Sequence, residues 1–169
     1  MTTRKLTTAA VLAALIFAVT AFVQVPIPST AGYANLGDAV IFLAAFLVGG
    51  PVGAIAAAIG ASLSDVMLGY FVYVPATAII KAAIALVFWL LARRGGHLRY
   101  TLAALVSGAV MVAGYFAFEL AVFGWGYAIG SAPFNAVQLA ANAVVSSALY
   151  PIALKLRSVV NKGKNIANL

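Results

Sequence analysis

Apolar residues run almost without interruption from Leu6 to Val25, and Pro26, Pro28, Ser29, Thr30 and Gly32 then follow in quick succession. A run of about 20 apolar residues has the length of one membrane-crossing helix, and the turn-forming cluster behind it reads as a loop. It is also longer than the ~7–15-residue core of a secretory signal peptide, which favours a retained helix. The alternation recurs along the chain. Leu36 to Val48 ends at Gly49-Gly50-Pro51, Val52 to about Leu68 ends at Gly69, and Ala76 to Ala92 ends at Arg93-Arg94-Gly95-Gly96-His97. About Tyr100 to Phe123 and Phe134 to Leu156 complete the series, which predicts six helices. Gly69-Tyr70-Phe71-Val72-Tyr73-Val74-Pro75 reads as an uncharged aromatic connection, and Gly124-Trp125-Gly126-Tyr127 as the start of a loop reaching Pro133. Helices two and three are short, fitting either tilted crossings or a re-entrant pair.

Composition fixes the solvent. The 169 residues are 65% hydrophobic and 8% charged, with a mean hydropathy of +1.11, against about 45–50% apolar and about 25% charged in soluble domains. Ten basic and three acidic side chains cannot cover a globule in water. The expected fold is therefore all-α, an integral membrane bundle of six transmembrane helices, multi-pass in the cell membrane. Residues 1–169 are expected to form one transmembrane domain. With no cysteine, disulfides, thiolate metal sites and cysteine nucleophiles are excluded. The net charge of +7 does not point to nucleic acid, because the basic residues lie between apolar runs rather than on one polar face.

Those basic residues report topology instead. Arg4 and Lys5 precede helix one, Arg93, Arg94 and Arg99 fall between helices four and five, and Lys155, Arg157, Lys162 and Lys164 lie at the end. With six crossings they share one side, and the loops at residues 26–35, 69–75 and 124–133 carry no Lys or Arg. By the positive-inside rule both termini are expected to be cytoplasmic.

Ionisable groups inside hydrocarbon are costly and each needs a reason. Asp38, Asp65, Lys81 and Glu119 all fall toward the outer side in this topology. Asn135, Gln138 and Asn142 form one helical stripe in the same half, and Tyr115 lies one turn from Glu119. Tyr33, Asn35, Tyr70, Tyr73, Trp125 and Tyr127 stand in or beside the outer loops. Together they describe a polar, aromatic-walled pocket for a small molecule, which makes residues 1–169 a substrate-binding domain. Lys81, Glu119, Asn142 and Gln138 are the first candidates for ligand contact, followed by Asp65, Tyr73, Asn35, Trp125 and Tyr115. Structural roles compete: a helix cap for Asp38 or Asp65, an ion pair of Lys81 with Glu119 or Asp65, interhelical hydrogen bonds for the amides, and an interfacial belt for the aromatics. A second pattern is small residues. Ala9, Ala10, Ala13 and Ala14 give overlapping A-x-x-x-A pairs in helix one, and Gly53, Ala57, Gly60, Ala61 and Ser64 do the same in helix three, suited to close packing inside the bundle or against a partner.

What is missing narrows the chemistry. Gly49-Gly50-Pro51-Val52-Gly53 lacks the lysine of a phosphate loop, so the chain is not expected to hydrolyse ATP. The single histidine, His97, sits in the basic loop, away from the carboxylates, which leaves neither a histidine metal site nor a histidine acid/base. No enzyme activity, cofactor or metal is expected.

The stretch Ala34-Asn35-Leu36-Gly37-Asp38-Ala39, then Gly50-Pro51-Val52-Gly53, Asp65, Gly69-Tyr70, Tyr73-Val74-Pro75-Ala76-Thr77 and Lys81, resembles the S components of energy-coupling factor (ECF) vitamin transporters, in the riboflavin, hydroxymethylpyrimidine and pyridoxine group. The resemblance covers helices one to six. It implies a six-helix protein that binds a water-soluble vitamin or precursor on the outer side, with a transmembrane coupling subunit and two cytoplasmic ATPase subunits as partners. It also implies that Ala9, Ala10, Ala13 and Ala14 form the docking face for the coupling subunit, and that ligand lies between the outer halves of helices four to six and the outer loops. The expected substrate is a pyridoxine- or hydroxymethylpyrimidine-type ring. The alternatives are riboflavin, a stand-alone proton-coupled carrier, a membrane-embedded enzyme using Asp65, Glu119 and Lys81, and a purely structural subunit.

Overall fold

In the computed structural model, which describes residues 3–28 and 32–166, six helices and one small hairpin account for the chain. The side chains of Arg4, Lys5, Lys162 and Lys164, four of the basic residues used for topology, lie outside what is described, as do Ser29 and Thr30 of the first loop. Helix α1 spans Thr3–Phe22, α2 Gly37–Val48, α3 Gly50–Leu68, α4 Val74–Ala92, α5 His97–Phe123 and α6 Trp125–Ile166. The expected all-α six-helix bundle is the observed fold. By length and composition α3, α4, α5 and α6 are each able to cross a membrane, while the apolar part of α1 (Leu6–Phe22) and α2 are shorter.

Helix α2 is the centre of the bundle. Its 12 residues would reach only about 18 Å at 1.5 Å per residue, against about 30 Å of hydrocarbon. It compensates by being enclosed: only Leu43 and Val48 fall outside its buried set, and α1, α3, α4 and α6 pack around it. A helix buried on every side reads as a continuous apolar run, as Ala39 to Val48 does.

Small residues set the closest approaches. A Cβ on Gly60 would lie 2.5 Å from the Ala13 carbonyl oxygen, so α1 and α3 touch backbone to backbone, and a Cβ on Gly108 would lie 2.6 Å from Leu139 between α5 and α6. These are the contacts that small-residue stripes permit in lipid, where dispersion replaces the hydrophobic effect between helices.

Two expected loops are different. The first connection carries a two-stranded antiparallel sheet, β1 (Gln24–Pro26) and β2 (Tyr33–Asn35), paired Gln24 to Asn35 and Pro26 to Tyr33. The expected loop over residues 124–133 is not a loop: α6 begins at Trp125 and runs through Pro133, leaving Gly124, at φ +88°, as the turn from α5. Where water is scarce, a chain keeps its backbone hydrogen bonds internal, so glycine and proline are absorbed into helix that would fray in solvent.

Candidate functional site

One end of the bundle gathers nearly all the buried polar side chains. The end of α1 brings Thr20, the hairpin Tyr33 and Asn35, and the end of α3 Asp65. The start of α4 brings Tyr73, Thr77 and Lys81, the end of α5 Tyr115 and Glu119, and α6 Asn135 and Gln138, all lining one cavity with Tyr70, Ile27 and Gly32. The sequence candidates Lys81, Glu119, Gln138, Asp65, Tyr73, Asn35 and Tyr115 therefore meet at a common wall.

Asp38 fixes the charge arrangement. It lies in the first turn of α2, 1% exposed, and a carboxylate so deep requires a partner. Lys81 Nζ donates to Asp38 Oδ1 at 2.6 Å and Gln138 Nε2 donates to Oδ2 at 2.9 Å. The ion pair of Lys81 is thus with Asp38, not with Glu119 or Asp65. Both oxygens of Asp38 are used, and Lys81 sits 5.3 Å over the Tyr115 ring.

The amides hold the hairpin and the N-terminus of α2 together. Gln138 Oε1 accepts from the Asn35 backbone N–H at 3.0 Å, and Asn142 Nδ2 donates to the Asn35 carbonyl at 2.7 Å. Asn142 Oδ1 accepts from the Ala39 N–H at 2.9 Å, and Asn35 Oδ1 accepts from the Gly37 N–H at 2.9 Å. The Gly37 and Ala39 N–H groups belong to the first turn of α2, which has no intrahelical acceptor for them. Asn142 is outside the cavity wall, with both ends of its amide committed to backbone.

The other two carboxylates have neutral partners. Tyr33 donates to Asp65 Oδ1 at 2.7 Å, and burial, reinforced by Asp65, holds the Tyr33 phenol well above its ordinary pKa, so it stays a donor. Glu119 Oε1 accepts from the Tyr73 hydroxyl at 3.1 Å, and Oε2 accepts from Ser131. Tyr73 and Tyr127 hydroxyls are 3.0 Å apart, and Thr77 and Tyr115 hydroxyls 3.1 Å apart. Among the described residues two polar atoms of the wall have no partner in hydrogen-bonding geometry, Asp65 Oδ2 and Asn135 Nδ2. The space open to the centre of a water-sized sphere is about 30 Å³, which makes the cavity a confined one that suits a small ligand.

Trp125 is not brought to the site. Its early helical start places it at the outer edge of α6, 62% exposed, its ring edge-on to Phe116 with centroids 6.0 Å apart. Thr20, Thr77 and Ser131 were not foreseen. Thr77 stands four residues before Lys81 on one helical face, a signal that was available, whereas Ser131 extends the stripe of Asn135, Gln138 and Asn142 only once α6 is known to start at Trp125.

A second, apolar groove of about 410 Å³ runs between α1 and α3, lined by Ala9, Ala10, Ala13, Ala14 and Phe17 on one side and Val52, Ile55, Ala56, Ile59 and Leu63 on the other. All four alanines of the expected docking face line it.

The model of the family "ECF-type riboflavin transporter, S component" matches residues 1–156. The chain is 34% identical over 151 residues to the thiamine precursor transporter HmpT of Lactococcus lactis subsp. cremoris, covering 88% of this chain and 87% of that one. It is 32% identical over 131 residues to an uncharacterized protein from the gap 3′ region of Pyrococcus woesei, covering 77% and 88%. Among solved structures, the S component of a bacterial ECF transporter superposes with a TM-score of 0.72 at 21% identity, covering 90% of this chain and 96% of that chain, which bears on the fold.

Proposed function

Because the chain belongs to the ECF-type riboflavin transporter S component family, we propose that it captures a single-ring vitamin precursor of the hydroxymethylpyrimidine or pyridoxine type at the outer face of the cell membrane. It then hands the ligand to a transmembrane coupling subunit driven by two cytoplasmic ATPase subunits. The observation that carries this reading is the polar cavity at the end opposite the basic residues. Arg93 and Arg157 lie together at that other end, with Arg157 Nη2 donating to the Arg93 carbonyl at 3.3 Å, which supports a cytoplasmic placement for it and an outward-facing cavity. The family and fold are those of membrane transport components rather than enzymes.

Three features favour a small neutral or weakly basic ring. The cavity has little free space, its walls carry four tyrosines (Tyr33, Tyr70, Tyr73 and Tyr115) for stacking, and its hydrogen-bonding groups both donate and accept. A phosphorylated ligand is disfavoured, since Lys81 is neutralised by Asp38 and no arginine among the described residues lines the cavity. The name of the Lactococcus relative points the same way.

The groove between α1 and α3 is the docking face for the coupling subunit in this reading. Purified protein titrated with hydroxymethylpyrimidine, pyridoxine, riboflavin and pantothenate tests the ligand: tight binding of one of the first two is expected, and binding of riboflavin alone or of none would overturn it. Ala13→Trp tests the docking face. It is expected to abolish complex assembly and uptake while the isolated chain still binds ligand, and lost ligand binding with assembly intact would overturn the assignment.

A further inference from the structure

We infer that Asp65, rather than Lys81, is the polar anchor for the ligand, and that it receives an amino N–H; this rests on the single-ring reading above and narrows it to amine-bearing rings.

The site carries six carboxylate oxygens. Asp38 spends both on Lys81 and Gln138, and Glu119 spends both on Tyr73 and Ser131. Asp65 spends Oδ1 on Tyr33, and its Oδ2 has no partner although the residue is only 3% exposed. The Thr77 hydroxyl lies beside the Asp65 carboxyl but outside hydrogen-bonding geometry to Oδ2, and it shares a hydrogen bond with Tyr115 at 3.1 Å. A buried acceptor left unmade is costly, and five satisfied oxygens around it argue that the sixth is kept open for an incoming donor.

Charge points the same way. Among the described residues Lys81 is the only basic side chain lining the cavity, and it is held at 2.6 Å by Asp38. Asp65 and Glu119 have only hydroxyl donors, so the wall has acceptor capacity to offer and, among the described residues, no free cation. A ligand matching it brings N–H donors, with an exocyclic amine or a protonated ring nitrogen gaining a charge-assisted hydrogen bond. The second unpartnered atom of the wall, Asn135 Nδ2, is a donor in a residue 5% exposed. It calls for an acceptor on the same ligand, which an unprotonated ring nitrogen supplies. An aminopyrimidine carries both kinds of group on one ring.

The test is a cycle of two ligands and three proteins. The amino-hydroxymethylpyrimidine and its analogue with hydrogen in place of the amino group are titrated into the wild type, Asp65→Asn and Asp65→Leu, in detergent at one pH. The wild type is expected to prefer the amino compound by about tenfold or more, the size of one charge-assisted hydrogen bond. Asp65→Leu is expected to bring the two affinities within about twofold, and Asp65→Asn, which keeps an uncharged acceptor, to lie between. A wild-type ratio near one overturns the inference whether or not the variants fold. An unchanged ratio in either variant also overturns it, and tight binding of the amino compound in that case leaves the proposed function standing. If neither compound binds the wild type, the ligand class falls and the inference falls with it.

Discussion

The two ends of the bundle solve the problem of polarity in opposite ways. At the cavity end, charged groups are buried and each is tied to a specific partner: Lys81 to Asp38, Asp65 to Tyr33, Glu119 to Tyr73 and Ser131. At the basic end, the charges lie at the surface and the interior is aromatic. Tyr100 is enclosed by Phe46, Phe88 and Tyr150 with ring centroids 4.9–5.1 Å away, and His97 stacks on Tyr150 at 5.0 Å. A packed aromatic core stabilises without need of specific partners, whereas a buried polar network depends on the particular bonds between its members. The cavity end therefore holds its shape through a few irreplaceable bonds, which is where a binding protein has use for groups that can change partner.

The sharpest way to break this contrast is to remove one charge from each end. Lys81→Met leaves Asp38 buried without a cation, and a loss of about 3–5 kcal/mol of stability is expected, read as a large fall in melting temperature in detergent. Adding Asp38→Asn to it should recover a substantial part, because an absent pair costs less than a broken one. At the other end, Arg157 lies 4.3 Å over the Phe46 ring, and Arg157→Met should cost about 0.5–1 kcal/mol. Equal losses from Lys81→Met and Arg157→Met would erase the distinction.

Next in size is the amide clamp. Asn142→Ala removes an acceptor from the Ala39 N–H and a donor from the Asn35 carbonyl, each unmet buried group costing about 1–3 kcal/mol. The hairpin is expected to loosen, seen as faster amide hydrogen exchange at Asn35 and Ala39 with the basic end unchanged. Uniform acceleration across the chain would mean that the two ends are not independent.

The same contrast explains what the sequence could reveal. Long apolar runs between turn residues give the helices directly, because in lipid a helix must be apolar and continuous. Polar residues in those runs stand out for the same reason, so Lys81, Glu119, Asp65 and the amide stripe were legible as one cluster. Pairings were not. Nothing in residue order says that α2 lies between α4 and α6, hence the true partner of Lys81 was hidden, and Asn142 looked like a ligand contact when its amide closes backbone bonds. The start of α6 is hidden because Gly126, Gly130 and Pro133 break helices in water, and with it the position of Trp125 and the role of Ser131. Three-residue strands such as β1 and β2 are too short for any alternation to register.

The smallest expected effect separates the two ends with one chemical change, the removal of a tyrosine hydroxyl. Tyr73 and Tyr100 are both buried, at 6% and 0% exposed. The Tyr73 hydroxyl serves Glu119 and Tyr127, so Tyr73→Phe should cost about 1.5 kcal/mol and weaken ligand binding. The Tyr100 hydroxyl has no partner in hydrogen-bonding geometry, while its ring keeps every aromatic contact in Tyr100→Phe. That variant gives up no bond and relieves a buried polar group, so its stability should match the wild type to within about 0.5 kcal/mol or exceed it, with binding unchanged. Paired melting curves and titrations of the two variants decide the matter. A loss in Tyr100→Phe as large as that in Tyr73→Phe would mean that the basic end also depends on specific polar bonds, and that its aromatic packing is not what holds it.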